Sequence, residues 1–232
     1  MSTLIHLPVF GLALTLGAYL LALWLYQRCG RPGLLSPVLV TVILVAVVLQ
    51  ATGLPYDEYL EQVTVLTLLL GPATVALALP LLRNGRALAS SAPAVATTLT
   101  VGGALSVTLT VGAMTLLGAG DDMLRAALPR SVTSPVGLSI AETLGASVPL
   151  AVVLTLISGV LGAVVGPALL SLARVRDERA RGFAIGLTSH GIGTSRVLAE
   201  SSVAGGWSSA AMVMNALVMT VVLPIVSALV TG

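Results

Sequence analysis

From Val148 to Ala173 the sequence runs 26 residues without a charged side chain. A helix of that length reaches about 39 Å, more than the roughly 30 Å of a bilayer's hydrocarbon core. Comparable runs occupy Leu4–Tyr26, Leu34–Ala51, Ala92–Leu117 and Ala210–Val230. They are continuously apolar rather than alternating, which is the pattern of buried or lipid-facing helices. Only 9% of residues are charged, against about 25% in soluble domains, too few to cover a soluble surface. The expectation is an all-α polytopic membrane protein, one integral domain over residues 1–232, with about seven to eight hydrophobic segments.

The charges that remain set the orientation and exclude several functions. The chain carries eleven arginines and no lysine, 3% aromatic residues and a net charge of +2. That excludes a nucleic-acid surface and a lysine-dependent phosphate loop. Cys29 stands alone, and the two histidines have no acids clustered with them, so no disulfide, metal or other cofactor is expected. No positive residue precedes Leu4–Tyr26, which therefore reads as a retained helix rather than a cleaved signal. Arg28 and Arg31, Arg83 and Arg86, and the loop Arg174–Arg181 read as cytoplasmic by the positive-inside rule.

Four stretches interrupt the apolar pattern. Gly53–Glu61, with three acids and two tyrosines, reads as a solvated turn at the membrane boundary. Val63–Leu82 contains Gly71-Pro72 and Pro80, and a kink near Gly71 is expected. Ala92–Leu117 carries Gly102-Gly103 at its middle, so it is either one tilted span or a broken one. Arg130–Glu142 holds Ser131, Thr133, Ser134, Ser139 and Glu142, too polar to face lipid, and reads as re-entrant or broken. Leu70-Gly-Pro-Ala73 echoes Val165-Gly-Pro-Ala168, and Ser36-Pro-Val38 echoes Ser134-Pro-Val136. Two related repeats, about 34–118 and 131–231, follow Leu4–Tyr26 on this reading, with broken helices meeting near mid-membrane. The symmetry, inverted or parallel, stays open.

Thr188-Ser-His-Gly-Ile-Gly-Thr-Ser-Arg196 is the most polar sequence in the most apolar surroundings. It reads as a broken helix whose restart offers N–H groups, a positive dipole end and Arg196 to a small anion. His190 either binds substrate or relays a proton, or bridges two helices as a neutral ring. Arg196 either clamps a carboxylate or snorkels to lipid phosphate. Glu142 is either a proton-coupling carboxylate or the partner of Arg130 or Arg196. Asn215 bonds either substrate or broken backbone. Gly162/Gly166 and Gly182/Gly186 stand in GxxxG spacing, which suits close helix packing. Ser189 beside His190 is no catalytic triad and no nucleophile elbow surrounds it, so the protein does not read as an enzyme.

The runs Leu70–Pro80, Arg130-Ser-Val-Thr-Ser-Pro135, Gly159–Pro167 and Ser189-His-Gly-Ile-Gly-Thr-Ser-Arg196 resemble the LrgB/CidB family of bacterial membrane proteins in order and spacing. The resemblance covers about residues 4–231. Arg130 departs from it, because the family more often has lysine there. The resemblance implies a multi-pass protein of the cytoplasmic membrane and two functions of different class. One is an antiholin-like regulator of murein hydrolase activity and lysis, acting with a small LrgA/CidA-type partner. The other is a carrier of small monocarboxylates such as pyruvate, glycolate, glycerate or lactate. The residues favour the carrier, since packing alone does not require a histidine, an arginine and many hydroxyls at membrane depth. The expected binding residues are Ser131, Thr133, Ser134, Ser189, His190, Gly191, Gly193, Thr194, Arg196 and Asn215, with N–H groups of Gly193–Arg196 and the helix start at Ser134 on the carboxylate. Glu142 and His190 are the candidates for proton coupling. The expected partners are the lipid bilayer, a small organic anion, the LrgA/CidA-type protein and a second copy of the chain; nucleic acid is excluded.

Overall fold

The computed structural model describes residues 5–30, 35–76 and 78–231, without the side chains of Leu70, Ala73, Thr74, Ala78, Pro80 and Leu81. The expected loop through Arg31 and Gly33, and the first residues of the first two apolar runs, lie outside the described residues. So do the side chains of Leu70 and Ala73 in the motif echo. All regular structure among the described residues is helical. The chain forms two compact units, Met1–Ala76 and Leu77–Gly232.

The first unit holds α1 (Pro8–Arg28), α2 (Pro37–Thr52), α3 (Tyr56–Gln62) and α4 (Thr64–Ala76). α2 starts on Pro37 behind Ser36, the pair read as a helix start, and stops at Gly53 with φ 70°. Glycine alone enters that left-handed conformation without cost. The acidic turn after it does more than meet solvent. Gln62 accepts from Gly11 N–H at 2.8 Å and donates to Ile5 O at 2.9 Å, while Tyr59 meets Thr15 at 2.8 Å. These bonds dock α3 on α1. α4 stays helical through Gly71 and Pro72 to Ala76, so the helix does not end at Gly71.

The second unit holds α5 (Ala78–Arg83), α6 (Gly85–Ser90), α7 (Ala92–Leu116), α8 (Asp121–Ala127), a 3-10 turn (Leu128–Ser131), α9 (Ser134–Thr143), α10 (Val148–Leu172), α11 (Glu178–Glu200) and α12 (Ser202–Val230). Across the chain, α1, α7, α10 and α12 are the four described helices long and apolar enough to cross a membrane, and α2 is a shorter apolar one. Short helices lie between them, and two polar stretches of the second unit fold double. α7 is one continuous helix. Its Gly102-Gly103 is a notch, not a break: a Cβ there would strike Leu187 and Met219.

The first doubled stretch runs from Asp121 to Ser147. α8 and the 3-10 turn lead in, Val132 and Thr133 are extended, and α9 leads back. The ends meet where Ser147 N–H donates to Asp122 Oδ1 at 3.0 Å. Halfway along, Gly137 lies against Pro129. The second doubled stretch is α11 itself. His190, at φ 40° and ψ −136°, breaks it into legs 178–189 and 191–200. A straight helix would hold Glu178 and Ser201 about 34 Å apart; instead Ser201 Oγ donates to Glu178 Oε2 at 2.8 Å.

The packing confirms the reversal. Gly182 and Gly186 face the backbone of Ala204 and Ser208, so the first leg runs alongside the start of α12. Thr194 meets Ser208 and Leu198 meets Gly205, so the second leg runs against it. The two hairpins have their bases at opposite ends of α10, one at Ser147 and the other beyond Leu172. Legs of ten to twelve residues reach about 15–18 Å, half the thickness of a bilayer core.

Candidate functional site

Both tips reach the middle of α10 and are tied together by α12. Asn215, 2% exposed, donates to Ser131 O at 3.0 Å in the first tip and to Leu187 O at 3.2 Å in the second. Thr155 of α10 touches both hairpins, through His190 on one side and Gly137 on the other. A helix broken at mid-depth leaves unbonded carbonyls where it stops and unbonded N–H groups where it resumes. Asn215 answers two of the carbonyls. The starts of α9 and of leg 191–200 bring two positive dipole ends to the same level.

The restart of the second hairpin differs from its sequence reading. The residue in the left-handed region is His190, while Gly191 and Gly193 are helical. The first N–H groups of the restart are therefore those of Gly191 to Gly193, starting two residues earlier than the expected Gly193–Arg196. Glycine serves here as clearance. Gly159 makes room for the His190 ring, Gly162 for Ser189, and Gly193 for Ile185 and Ser189. The GxxxG pairs do the packing expected of them: Gly162/Gly166 seat the second hairpin on α10, and Gly182/Gly186 seat it on α12.

Most polar groups of the 188–196 motif are committed to this packing. His190, 3% exposed, donates from Nε2 to Thr155 O at 3.0 Å. Ser189 is fully buried and meets Thr188 Oγ1 at 3.2 Å. Thr194 Oγ1 pairs with Ser208 Oγ at 2.8 Å. Arg196 donates from Nη1 to Ala163 O and from Nε to Glu200 at 3.3 Å. Pro167 lies four residues after Ala163 and has no N–H to give it. Arg196 thus supplies the bond that Pro167 withholds.

In the first hairpin Ser131 and Thr133 are buried at the tip and Ser134 is exposed at the start of α9. Thr133 occupies the N-cap position, yet its hydroxyl makes no cap bond. Glu142 is exposed near the base of the hairpin, because α9 carries it about 12 Å along from Ser134. It pairs with neither Arg130 nor Arg196.

Arg130, absent from the expected binding residues, is the cation at the first tip. Nε donates to Thr110 Oγ1 at 2.8 Å, Nη1 to Ser158 Oγ at 3.3 Å and Nη2 to Ser106 O at 3.3 Å. No carboxylate among the described residues lies within ion-pair distance of it. Its signal in the sequence was an arginine inside a stretch already read as re-entrant. Thr110, on a run read as a tilted or broken span, and Ser158, on one read as a plain span, carried no such mark. No group of residues capable of holding a metal occurs among the described residues.

Long apolar helices enclosing two opposed hairpins define a multi-pass helical membrane protein with broken backbone gathered inside the bundle. The chain belongs to the LrgB-like family, whose model matches residues 15–229. It is 34% identical over 209 residues to the uncharacterised protein YwbG of Bacillus subtilis, covering 90% of this chain and 92% of the relative. It is 28% identical over 217 residues to the holin-like protein CidB of Staphylococcus epidermidis, covering 94% of each. No solved structure matches it.

Proposed function

We propose that the protein is a secondary transporter moving small monocarboxylates of the pyruvate, glycolate, glycerate or lactate class across the bacterial cytoplasmic membrane by alternating access. The observation that carries this reading is the meeting of two hairpin tips from opposite ends of α10. Half-helix ends at mid-depth are the form in which membrane proteins present backbone dipoles to an anion without exposing them to lipid. Each hairpin closes the path from its own side, and displacement of one tip at a time opens the centre to one side. A helix followed by a hairpin occurs twice in opposite directions, as α7 with the first hairpin and α10 with the second. We read that pair as the inverted unit of the carrier. The arginine-rich base of the second hairpin then faces the cytoplasm.

The printed name of the CidB relatives favours a second reading, a holin-like or antiholin-like regulator of murein hydrolase activity working with a small LrgA/CidA-type protein. Uptake of labelled pyruvate, glycolate and lactate into proteoliposomes separates the two. The carrier gives saturable uptake that unlabelled substrate competes away, by this chain alone, as a homodimer, or with the LrgA-type protein added. Absence of uptake in both preparations would sink the carrier and leave the regulator.

A further inference from the structure

The structure assigns the carboxylate receptor of this site to Arg130, and with it a limit of one carboxylate per substrate. The inference rests on the transport reading for its biological sense, but the binding itself is measured without transport.

Elimination carries the first half of the argument. Arg196 already has a carboxylate partner in Glu200 besides its bond to Ala163 O, and His190 is sealed against Gly159 with its Nε2 on Thr155 O. Arg130 alone combines a permanent charge, a place at a hairpin tip and wholly neutral partners. A guanidinium has five N–H groups; three have partners here. Thr110, Ser158 and Ser106 O hold the plane in place without neutralising it. A fixed, uncompensated guanidinium at mid-depth is costly unless an anion completes it. Its planar fork suits a single carboxylate.

The groove in front of it carries the second half. It has a volume of about 570 Å³; Arg130, Ser158 and Thr188 form its polar edge, and Leu154, Ile157 and Leu161 its wall. Thr188 comes from the second hairpin and Arg130 from the first, so an anion there touches both moving parts. The wall offers no second cation. It suits a methyl, hydroxymethyl or keto group, and a second carboxylate has no partner there, at a cost that excludes dicarboxylates. Lipid phosphates stay at headgroup level, about 15 Å from a tip at mid-depth, so the ligand is a free acid.

The test uses the full chain in nanodiscs of zwitterionic phosphatidylcholine, with pyruvate and oxalate titrated calorimetrically. Wild type binds pyruvate saturably and oxalate at least about tenfold more weakly. Arg130→Gln raises the pyruvate Kd about tenfold or more, in line with loss of a charged hydrogen bond, and Arg130→Lys recovers part of it. Leu161→Trp, which fills the groove without touching the anchors of Arg130, weakens binding as well and decides the matter if Arg130→Gln does not fold. Unchanged pyruvate affinity in Arg130→Gln, or in Leu161→Trp where the first variant fails to fold, overturns the assignment. Oxalate binding as tight as pyruvate, or no binding of pyruvate by wild type, overturns it too. Binding through Arg130 without uptake in proteoliposomes overturns the carrier and leaves the receptor standing.

Discussion

The two hairpin tips are built from similar polar residues and use them differently. In the second, glycine clearance on α10 and α12 brings backbones together, and Ser189, His190 and Thr194 each end on a protein partner. In the first, the 3-10 turn before the extended Val132-Thr133 carries a cation whose partners are all neutral. Polarity at membrane depth therefore has two meanings here. One tip consumes its hydrogen bonds in holding a reversed helix; the other keeps donors in reserve.

That contrast predicts an ordered set of effects. The largest belongs to Gly186→Val. Its side chain would fall on the Ser208 backbone, which cannot rotate away, so a loss of about 3 kcal/mol or more is expected. A thermal melt in detergent checks it, and a stability equal to wild type would refute close contact between α11 and α12. The middle effect belongs to Arg196→Ala, which leaves Ala163 O unbonded at a cost of about 1–3 kcal/mol. Pro167→Ala restores an N–H to that carbonyl, so the same arginine substitution costs less in its background. Additive losses in this double-mutant cycle would return Arg196 to the list of anion ligands. The smallest belongs to Glu142→Gln, expected to change stability by less than about 0.5 kcal/mol, as at other exposed positions. The gradient dependence of uptake should also be unchanged, and its loss would restore Glu142 as the coupling carboxylate.

Two of the long helices were legible to within a residue, whereas the last, read as Ala210–Val230, starts eight residues earlier at Ser202. Ala92–Leu117 and Val148–Ala173 became Ala92–Leu116 and Val148–Leu172, because a run without charge fixes its own ends in lipid. The re-entrant character of Arg130–Glu142 was legible for the same reason in reverse. The full reversal at His190 was not. It depends on one backbone angle at a residue that seldom adopts it, and the neighbouring glycines pointed two residues too far. Nor was the duty of Arg196, since nothing in the order of residues places Pro167 opposite it. Sequence shows which groups are costly in a membrane; only the fold shows which have already found a partner.

The shortness of the hairpin legs has a consequence for biogenesis. Segments enter the bilayer individually when about 20 apolar residues pass the insertion machinery. Legs of ten to twelve residues bearing Arg130 or His190 do not qualify on their own. They enter once α7, α10 and α12 stand as walls that offer Thr110 to the Arg130 side chain, the Thr155 carbonyl to the His190 ring and Asn215 to open backbone. The most polar part of the molecule is therefore the last to be built, and a nascent chain halted before α12 holds its long helices without a centre.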